Sequence, residues 1–526
     1  MRGKVMRVLL LKVTARCAVL EIEDGGNYYT KEAFAVILNG KEKRITDRTV
    51  TVIDGLIPGK EYALTVENSE GKAVCDISFQ TPYESVTLNV KEMGASGDGL
   101  HDDTVIIQSA IMACPKDGRV LLPKGKYLVS SLFLRDGLNL ELAEDAEIVA
   151  ITDRKARAYF PGEIQTADEK EEILFGTWEG NPRPMFAGII NGFGVKDVTI
   201  YGKGTINGNA SKEDWWKNPK IMDTAYRPRT VFLKDCKGIS LIGIKILNSP
   251  SWTIHPFFSE NLEFYGLTIR NPEDSPNTDG IDPECCSNVK IKGVHFSLGD
   301  DCIAVKSGKI YLAEKFKKAS ENIEISGCLM ENGHGAVTLG SEIAGGVYHL
   351  LVHHCLFVNT DRGLRVKTRR GRGRLSVLDD IVFEEIQMEK VKNPFTVNCF
   401  YFCDPDGKTG YVQSRDFLPA DERTPEIGTL TFHRITAKDC SVSAMYVEGL
   451  PEKKIGRISL EDIRISFTQG ECNAEVPIMS SGTEPCSKKG ITMKNVHILR
   501  MKNVTVEGMN GEAMDLAAVD EVQNDE

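Results

Sequence analysis

A short pattern of apolar and polar positions recurs along most of this chain. Each copy has a polar lead, an alternating strand, a glycine or polar residue, and a second short apolar strand. Ile239, Leu262, Val289 and Ile323 begin the first strands of successive copies, which are therefore 23, 27 and 34 residues apart. Alternation with period two indicates strands, and a strand-built repeat of this size indicates a solenoid. We therefore predict an all-β fold, a right-handed parallel β-helix whose turns absorb the differences in coil length.

Other local patterns refine this prediction. A β-propeller shares the period, but its blades need four antiparallel strands and hairpin turns, which the pattern lacks. Residues 103–114 are predicted to form one amphipathic helix with an N-cap at Asp102 or Asp103. We expect this helix to cover the first coil, whose strand edge would otherwise invite association. Its predicted apolar face comprises Ile106, Ile107, Ala110 and Ile111.

The N-terminal segment has a different character. Short alternating segments separated by turn signals predict a small β-sandwich domain over residues 1–82, with the β-helix over residues 83–526. Residues 55–62 resemble the turn and tyrosine strand of fibronectin type III modules. Such a module either docks substrate or a partner, or is a spacer that packs on the main domain.

Composition excludes several classes of protein. A length of 526 residues exceeds one ordinary domain, and the net charge of -11 argues against a nucleic-acid binder. No apolar run reaches the roughly 20 residues of a membrane span, and Lys12 and Arg16 interrupt the N-terminal apolar run, so we predict neither a membrane protein nor a signal peptide. We expect a cytoplasmic protein. Its fourteen cysteines lack zinc-ribbon spacing, so we expect reduced, buried thiols.

Three aspartates fall one coil length apart. Asp279 lies in Asn-Thr-Asp-Gly, and Asp300 and Asp301 follow Gly299, 21 residues later. Because stacked coils are about 4.8 Å apart, these acids are expected to meet, with a bend at Gly299 that turns both adjacent aspartates to one face. Carboxylates so close cannot all ionise freely, which gives an acid for a leaving oxygen and a base for water. Hydrolysis with inversion is expected to need carboxyl groups about 6.5–9.5 Å apart.

Basic residues follow at similar intervals. His334 comes 34 residues after Asp300, and Arg365 comes 31 residues after His334. Arg365 and Lys367 are two apart, so they leave a strand on the same side. Arginine grips a carboxylate bidentately and lysine adds a point charge, which suits an anionic sugar. The basic run at 367–374 either extends this patch or is solvated surface.

At these residues the sequence resembles glycoside hydrolase family 28, the polygalacturonases. The resemblance covers roughly residues 85–508, and Lys306-Ser307-Gly308 supports it. The four signature segments occur in order as Asn277-Thr278-Asp279-Gly280, Gly299-Asp300-Asp301, Gly333-His334-Gly335 and Arg365-Val366-Lys367.

The resemblance implies roles for individual residues. Asp300 would be the general acid, Asp279 with Asp301 would activate water, and His334 would orient the acid. Arg365 and Lys367 would hold a galacturonate carboxylate, with Asn277, Lys306 and Tyr401 as further substrate contacts. No metal or cofactor is predicted. The implied reaction is inverting hydrolysis of α-1,4-galacturonosidic bonds in an acidic polysaccharide or oligosaccharide.

We favour exo-action because no secretion signal is evident and because inserts at 159–184 and 404–425 would wall off one end of the cleft. Three alternatives stay open: hydrolysis of rhamnogalacturonan or xylogalacturonan, calcium-dependent elimination by a pectate lyase, and non-catalytic carbohydrate binding. The oligomeric state is open as well.

Other residues have two interpretations each. His353 and His354 resemble a metal pair, but adjacent strand residues diverge, so a structural role is favoured. His255 either reaches the cleft or sits in a turn. Trp215 and Trp216 either stack on a sugar or pack in the protein.

Overall fold

The computed structural model describes residues 6–165 and 172–525. Most of this chain winds into a right-handed parallel β-helix, which confirms the predicted fold class. Each strand pairs in parallel with the strand one coil earlier, so Leu262 lies between Ile239 and Val289. The strands of successive coils form three ladders, which we call the first, second and third ladder in chain order.

The first two ladders form adjoining faces of the solenoid and merge towards the C-terminus. The first ladder contains Thr87–Asn89, Arg119–Leu122, Asn139–Leu142, Lys196–Gly202, Lys237–Ile242, Glu260–Tyr265, Ser287–Lys292, Ser320–Ser326 and Val347–His353. The second contains Asp98–Asp102, Gly125–Val129, Ala146–Ala150, Thr205–Asn207, Lys245–Leu247, Thr268–Arg270, His295–Ser297, Leu329–Glu331 and Leu356–Val358. Later strands are longer: Val377–Glu389, Thr429–Cys440, Ile455–Phe467, Lys489–Glu507 and Met514–Asp525, with the short Glu426–Ile427 beside them.

The third ladder carries the face on which the predicted site lies. Single bridges at Ile281 join its early strands to its later ones. It contains Leu132–Phe133, Ile190–Phe193, Val231–Lys234, Ile254–Phe257, Ile303–Val305, Val337–Gly340, Arg362–Lys367, Asn393–Asn398 and Ser443–Glu448. The chain between the strands Ala146–Ala150 and Ile190–Phe193 contains short antiparallel strand pairs. These are Tyr159–Phe160 with Met185–Phe186, Ile164–Gln165 with Glu172–Ile173, and Thr177–Trp178 with Asn181–Pro182.

The recurring polar lead has a conformational cause. Asn261, Asn288 and Asn322 adopt left-handed φ values of 57°, 56° and 55° at the same point of consecutive coils. Asparagine tolerates this region better than most residues. The Asn288 amide also donates to the Asn261 side-chain oxygen at 3.0 Å, which ties one coil to the next.

The interior is a continuous stack of apolar side chains. One row of the first ladder keeps a branched aliphatic residue on nine consecutive coils, and every member is essentially inaccessible to solvent. Such burial is the main favourable contribution to the stability of the solenoid. The row runs Ile239, Leu262, Val289, Ile323, Leu350, Ile381, Leu430, Ile458 and Leu499.

The predicted helix is Thr104–Ala113, and Ile107, Ala110 and Ile111 are buried against the first coil. Asp103 occupies the N-cap position without capping the helix. Its carboxylate instead accepts from the backbone of the preceding loop, at Ser96 and Gly97. The described chain also has short helical segments at Arg154–Ala156, Ile310–Phe316 and Gly410–Gln413.

Seven antiparallel strands precede the solenoid in two sheets. One sheet contains Arg7–Val13, Ala18–Glu23 and Val50–Ile53, and the other contains Glu42–Arg48, Tyr29–Leu38, Glu61–Glu67 and Ala73–Gln80. They enclose their own apolar core around Phe34 and Val66. The fibronectin type III resemblance and the boundary at residue 82 stay predictions.

This N-terminal unit packs directly on the first ladder. A Cβ added to Gly293 would lie 2.4 Å from the Cβ of Val50, so only glycine permits this approach. Asn27 donates to the carbonyls of Cys355 and Glu385 at 2.7 and 2.9 Å. The described contacts are those of a spacer that packs on the main domain, while a docking role stays untested.

All fourteen cysteines are free thiols, and most of them are buried. Within the described ranges, none of the helices has the length and apolarity that a membrane crossing requires.

Candidate active site

The three predicted aspartates meet on the third ladder. Asp279 and Asp301 each stand two residues before a strand position, and those positions, Ile281 and Ile303, pair directly. The closest carboxylate oxygens of Asp279, Asp300 and Asp301 lie within 4.8 Å of one another. This cluster is tighter than the 6.5–9.5 Å expected above for inversion, so the spacing alone does not argue for that outcome.

Two glycines make room for the cluster. Gly299 approaches a neighbouring loop so closely that an added Cβ would lie 2.5 Å from the Pro272 carbonyl oxygen. A Cβ at Gly335 would lie 2.8 Å from Asp301 Oδ1. The aspartate pair itself lies in the turn after His295–Ser297, where the strand has ended, so both side chains can face the cleft.

Asp301 is held as an anion by the predicted cations. Lys367 Nζ lies 2.8 Å from Asp301 Oδ2, and Arg365 Nη1 lies 3.1 Å from Oδ1. Burial opposes ionisation, but Lys367 and Arg365 outweigh it and lower the pKa of Asp301 far below its ordinary value. Tyr401 adjoins the same cations, with its ring centroid 5.7 Å from Lys367 Nζ, and burial raises its pKa.

Asp300 pairs with the predicted histidine. His334 Nδ1 lies 3.3 Å from Asp300 Oδ1, and the backbone N–H of Asp301 donates to the same oxygen at 2.9 Å. The hydrogen bond to Asp300 raises the pKa of His334, against the effect of burial. His334 is 53% exposed, so this dyad faces the open cleft.

The surroundings of Asp279 oppose its ionisation. Burial raises its pKa well above the ordinary value, and the charges of Asp282 and Asp300 add to this effect. Sequence reasoning missed Asp282, although it follows Asp279 by three residues and stands in register with His255 one coil earlier.

Lys306 lies beneath the cluster. Its side chain is 3% exposed, and its ammonium lies 3.3 Å from Glu342, 3.5 Å from Asp282 and 3.8 Å from Asp279. Lys306 was predicted to contact substrate, but its ammonium is already paired with three carboxyl groups of the protein. That predicted contact stays untested. Glu342 was missed because it lies on a later coil with no motif around it.

Asn277 lies at the edge of the site with a φ of 55°. Its side-chain oxygen accepts from Arg227 Nη2 at 2.7 Å. Arg227 also donates to the carbonyls of Pro250 and Pro276, so it fixes this turn to the neighbouring coil.

Several open interpretations are now resolved by position. His255 is fully buried, with Nε2 2.8 Å from Glu284 Oε2, so it neither reaches the cleft nor sits in a turn. Trp215 is buried against Phe186, and Trp216 Nε1 donates to a backbone carbonyl, so both pack in the protein.

The expectation that His353 and His354 diverge was wrong. The strand ends at His353, and His354 has a left-handed φ of 51°, which turns the two rings together. Their Nδ1 atoms are 2.9 Å apart.

Within the basic run, Arg374 is exposed, but Arg369 and Arg370 match neither expectation. Arg370 is fully buried, and Glu452 accepts from its Nε and Nη2 at 2.6 and 2.9 Å. Arg370 Nη1 donates to the Ser414 carbonyl, and Arg369 donates to Asp406. These arginines are neither solvated surface nor a free basic patch, because they tie the 404–425 insert to the solenoid.

A further wall comes from residues 468–488, which sequence reasoning did not single out. Met479 Sδ lies 3.4 Å from Arg365 Nη2, and its carbonyl accepts from Asn398 Nδ2 at 3.1 Å. This segment therefore covers the cation pair from the C-terminal side. On the other side, the Gly180 carbonyl accepts from the Lys309 backbone at 3.1 Å, which seats the earlier insert; residues 166–171 of that insert lie outside the described residues.

Comparisons with known proteins agree with this architecture. The chain is 28% identical over 394 residues to a probable polygalacturonase of Vitis vinifera, covering 72% of this chain and 74% of that one. It is 25% identical over 504 residues to an exo-poly-alpha-D-galacturonosidase of Dickeya chrysanthemi, covering 87% and 81%.

Solved structures show the same fold. The family 28 exopolygalacturonase of Yersinia enterocolitica aligns with a TM-score of 0.68 at 18% identity, over 99% of this chain and 98% of that one. The polygalacturonase of Erwinia carotovora ssp. carotovora aligns at 0.56 and 20% identity, over 82% and 98%.

Family models match two parts of the chain. Residues 87–141 match the one described as rhamnogalacturonase A/epimerase, pectate lyase-like. Residues 172–476 match the one described as glycosyl hydrolases family 28. Because this second match covers more than half of the sequence, the chain belongs to glycoside hydrolase family 28.

Proposed function

We propose that the protein hydrolyses α-1,4-galacturonosidic bonds of polygalacturonate or its oligosaccharides. The observation that carries this proposal is the pairing of a carboxyl cluster with Arg365 and Lys367 in one walled cleft. Carboxyl groups supply acid and base for glycoside cleavage, and the two cations suit the carboxylate of a galacturonate unit. The relatives named as polygalacturonases support the same substrate class.

In this proposal Asp300 gives a proton to the leaving glycosidic oxygen. His334 lies beside it at 3.3 Å and orients it. Asp279 and Asp301 activate the attacking water. A sugar carboxylate would share Arg365 and Lys367 with Asp301, because both cations already lie within 3.1 Å of that aspartate.

We propose exo-action, since Met479 contacts Arg365 and the 404–425 insert is held to the solenoid by Arg370, three residues after Lys367, so that both segments can wall the cleft beside the cation pair. An enclosed cleft favours a chain end over the middle of a polymer. Chromatography of products from polygalacturonate tests this. One small product from the first minutes is the expected result, and a ladder of intermediate lengths would contradict it.

We propose inversion, which the family resemblance implies. Proton NMR of the first product tests it, with the β-anomer expected from an α-linked substrate. Early α-anomer would instead indicate a carboxylate nucleophile, which the tight carboxyl spacing permits.

The reaction class and substrate need separate measurements. Reducing ends should appear without absorbance near 235 nm, which an unsaturated sugar from elimination would produce. Parallel assays on rhamnogalacturonan and xylogalacturonan should give slower release than polygalacturonate. Failure to release reducing sugar from any of these polymers would favour a binding role.

A further inference from the structure

Two adjacent imidazoles, His353 and His354, face each other at the end of a strand of the first ladder, whereas the aspartate cluster lies on the third. Their Nδ1 atoms are 2.9 Å apart, and their ring planes are nearly perpendicular, at 89°. A metal pair was disfavoured above because adjacent strand side chains diverge, and the left-handed turn at His354 removes that reason. Both Nδ1 atoms can therefore be directed at one ion.

The separation of these two nitrogens suits one bound metal ion. Imidazole nitrogens bind divalent transition metals at about 2.0–2.1 Å, so nitrogens 2.9 Å apart would form an angle of about 90° at the ion. Square-planar and octahedral sites place neighbouring ligands at this angle, and Ni²⁺ and Cu²⁺ favour tetragonal sites of nitrogen and oxygen. A tetrahedral zinc site would need nitrogens that are further apart.

A carboxylate fixes the orientation of one ring. His353 Nε2 lies 3.1 Å from Glu324 Oε1, and this hydrogen bond lowers the pKa of Glu324 to about 2. Because the ionised carboxylate only accepts, the ring proton is on Nε2 and Nδ1 keeps its lone pair. Metal-binding histidines are commonly held by a carboxylate on the far nitrogen in this way. Lys292 Nζ, 2.7 Å from the same Glu324 oxygen, holds that carboxylate in turn.

The next coil offers an oxygen ligand. Glu384 is the direct register partner of His353, and both line one cavity. Stacked coils are about 4.8 Å apart, so a change of rotamer can bring the Glu384 carboxylate to an ion held by the two imidazoles. That carboxylate lies 3.7 Å from Arg434 Nη2, a loose ion pair that a divalent ion can replace.

The cavity has a volume of about 430 Å³ and lies between the solenoid and the N-terminal unit. Asn27 of that unit donates to the carbonyl of Cys355, the residue after His354, at 2.7 Å, so the two units meet beside the imidazoles. An excess of acidic groups favours a bound cation. The described lining includes three acidic residues and one arginine: Glu21, Glu23, Glu384 and Arg7.

We propose that His353 and His354 chelate a divalent transition-metal ion of the Ni²⁺ or Cu²⁺ type where the two units meet, with Glu384 or water as further ligands. Without metal, the proton between the rings belongs to His354 Nδ1, since His353 carries its own proton on Nε2. On binding, that N–H bond breaks and His354 takes its proton at Nε2 instead. Both Nδ1 lone pairs then bind the ion. The site takes no part in the proposed hydrolysis.

Isothermal titration calorimetry with Ni²⁺, on the full chain without a histidine tag, tests this proposal. His354→Asn should abolish the binding seen in wild type, and asparagine tolerates the left-handed backbone at that position. Glu324→Gln removes only the outer partner and should weaken binding by about 10- to 100-fold. Absence of binding by wild type, or equal affinity in wild type and His354→Asn, would overturn the proposal.

His433→Gln is the matched control, because His433 is the register partner of Glu384 on the following coil. It also lies close to Glu461 and Asp462, so it is a competing metal group. Arg434 Nη1, 2.6 Å from His433 Nδ1, opposes a cation there, and this variant should keep the affinity of wild type. Loss of Ni²⁺ binding in His433→Gln would place the ion at the wrong histidine and overturn the assignment.

Two further readouts identify the ligands and the effect of binding. X-ray absorption at the nickel edge should show nitrogen and oxygen neighbours, and sulfur among them would show that a free thiol holds the ion instead. Saturating Ni²⁺ should raise the melting temperature of wild type and His433→Gln but leave that of His354→Asn unchanged, because an ion that binds only the folded state stabilises it. An equal rise in all three proteins would contradict the site.

Discussion

The apolar interior and the cleft are two regions of the molecule that both receive side chains from the strand Arg362–Lys367. Leu364 and Val366 point inward and belong to the apolar stack, whereas Arg365 and Lys367 point to the cleft and pair with Asp301. Alternation places these side chains on opposite faces. The inward row only has to remain apolar and of suitable size, while the outward row needs specific charges at specific coils. Stability and chemistry are thus assigned to alternate residues.

The largest effect should come from the outward face, at the proposed acid. Asp300→Asn should lower kcat by about 10²- to 10⁴-fold, because an amide cannot give up a proton to the leaving oxygen. Its melting temperature should stay close to that of wild type. Asp439→Asn is the control, since it makes the same change at an exposed position of the strand Thr429–Cys440 on a distant coil. Full turnover by Asp300→Asn would show that the acid has been misassigned.

Substitutions on the inward face should instead lower the free energy of unfolding. Leu350→Ala should lower the free energy of unfolding by about 2–5 kcal/mol, since it leaves a cavity in the central row. Leu351→Ala, one residue along and only half-buried, should cost clearly less. Denaturant titration measures both. Similar losses for the two variants would contradict the assignment of alternate residues to separate roles.

A smaller effect is expected at the cleft cations. Lys367→Met removes the point charge 2.8 Å from Asp301 and should raise KM for oligogalacturonate by about 10-fold or more. Lys392→Met, which removes an exposed cation near the same face, serves as the control. An unchanged KM, or an equal rise in both variants, would remove Lys367 from substrate binding.

The smallest effect concerns the titration of His334. NMR should place its pKa above 6.5, and Asp300→Asn should move it back towards that value, since the hydrogen bond to Asp300 is the main cause of the shift. The stability contributed by this raised pKa is present below 6.5 and is lost as pH rises through the folded-state value. The NMR signals of His349, which is exposed and paired with Asp380, should be unaffected by that substitution. An unchanged pKa of His334 in Asp300→Asn would contradict the pairing of His334 with Asp300.

Periodicity was enough to predict the solenoid, and spacing was enough to bring Asp279, Asp300 and Asp301 together. Both follow from stacking, which a single sequence records in its repeats. The buried contacts beneath the three aspartates could not be predicted in this way. Lys306 and Glu342 meet through coils of unequal length, and no local pattern marks their contact. The Met479 wall was missed for the same reason, since its segment returns from more than a hundred residues away.

The buried pairing of Arg370 with Glu452 has a consequence for the range of products. A wall held by that ion pair and by backbone carbonyls cannot swing aside without exposing unpaired charge in the interior. The wall of the cleft would therefore stay in one position during turnover and would not open and close. Under the proposed exo-action, substrate would then have to enter lengthwise, and the distance from the wall to the cleaved bond would set how many sugar units leave at each turnover.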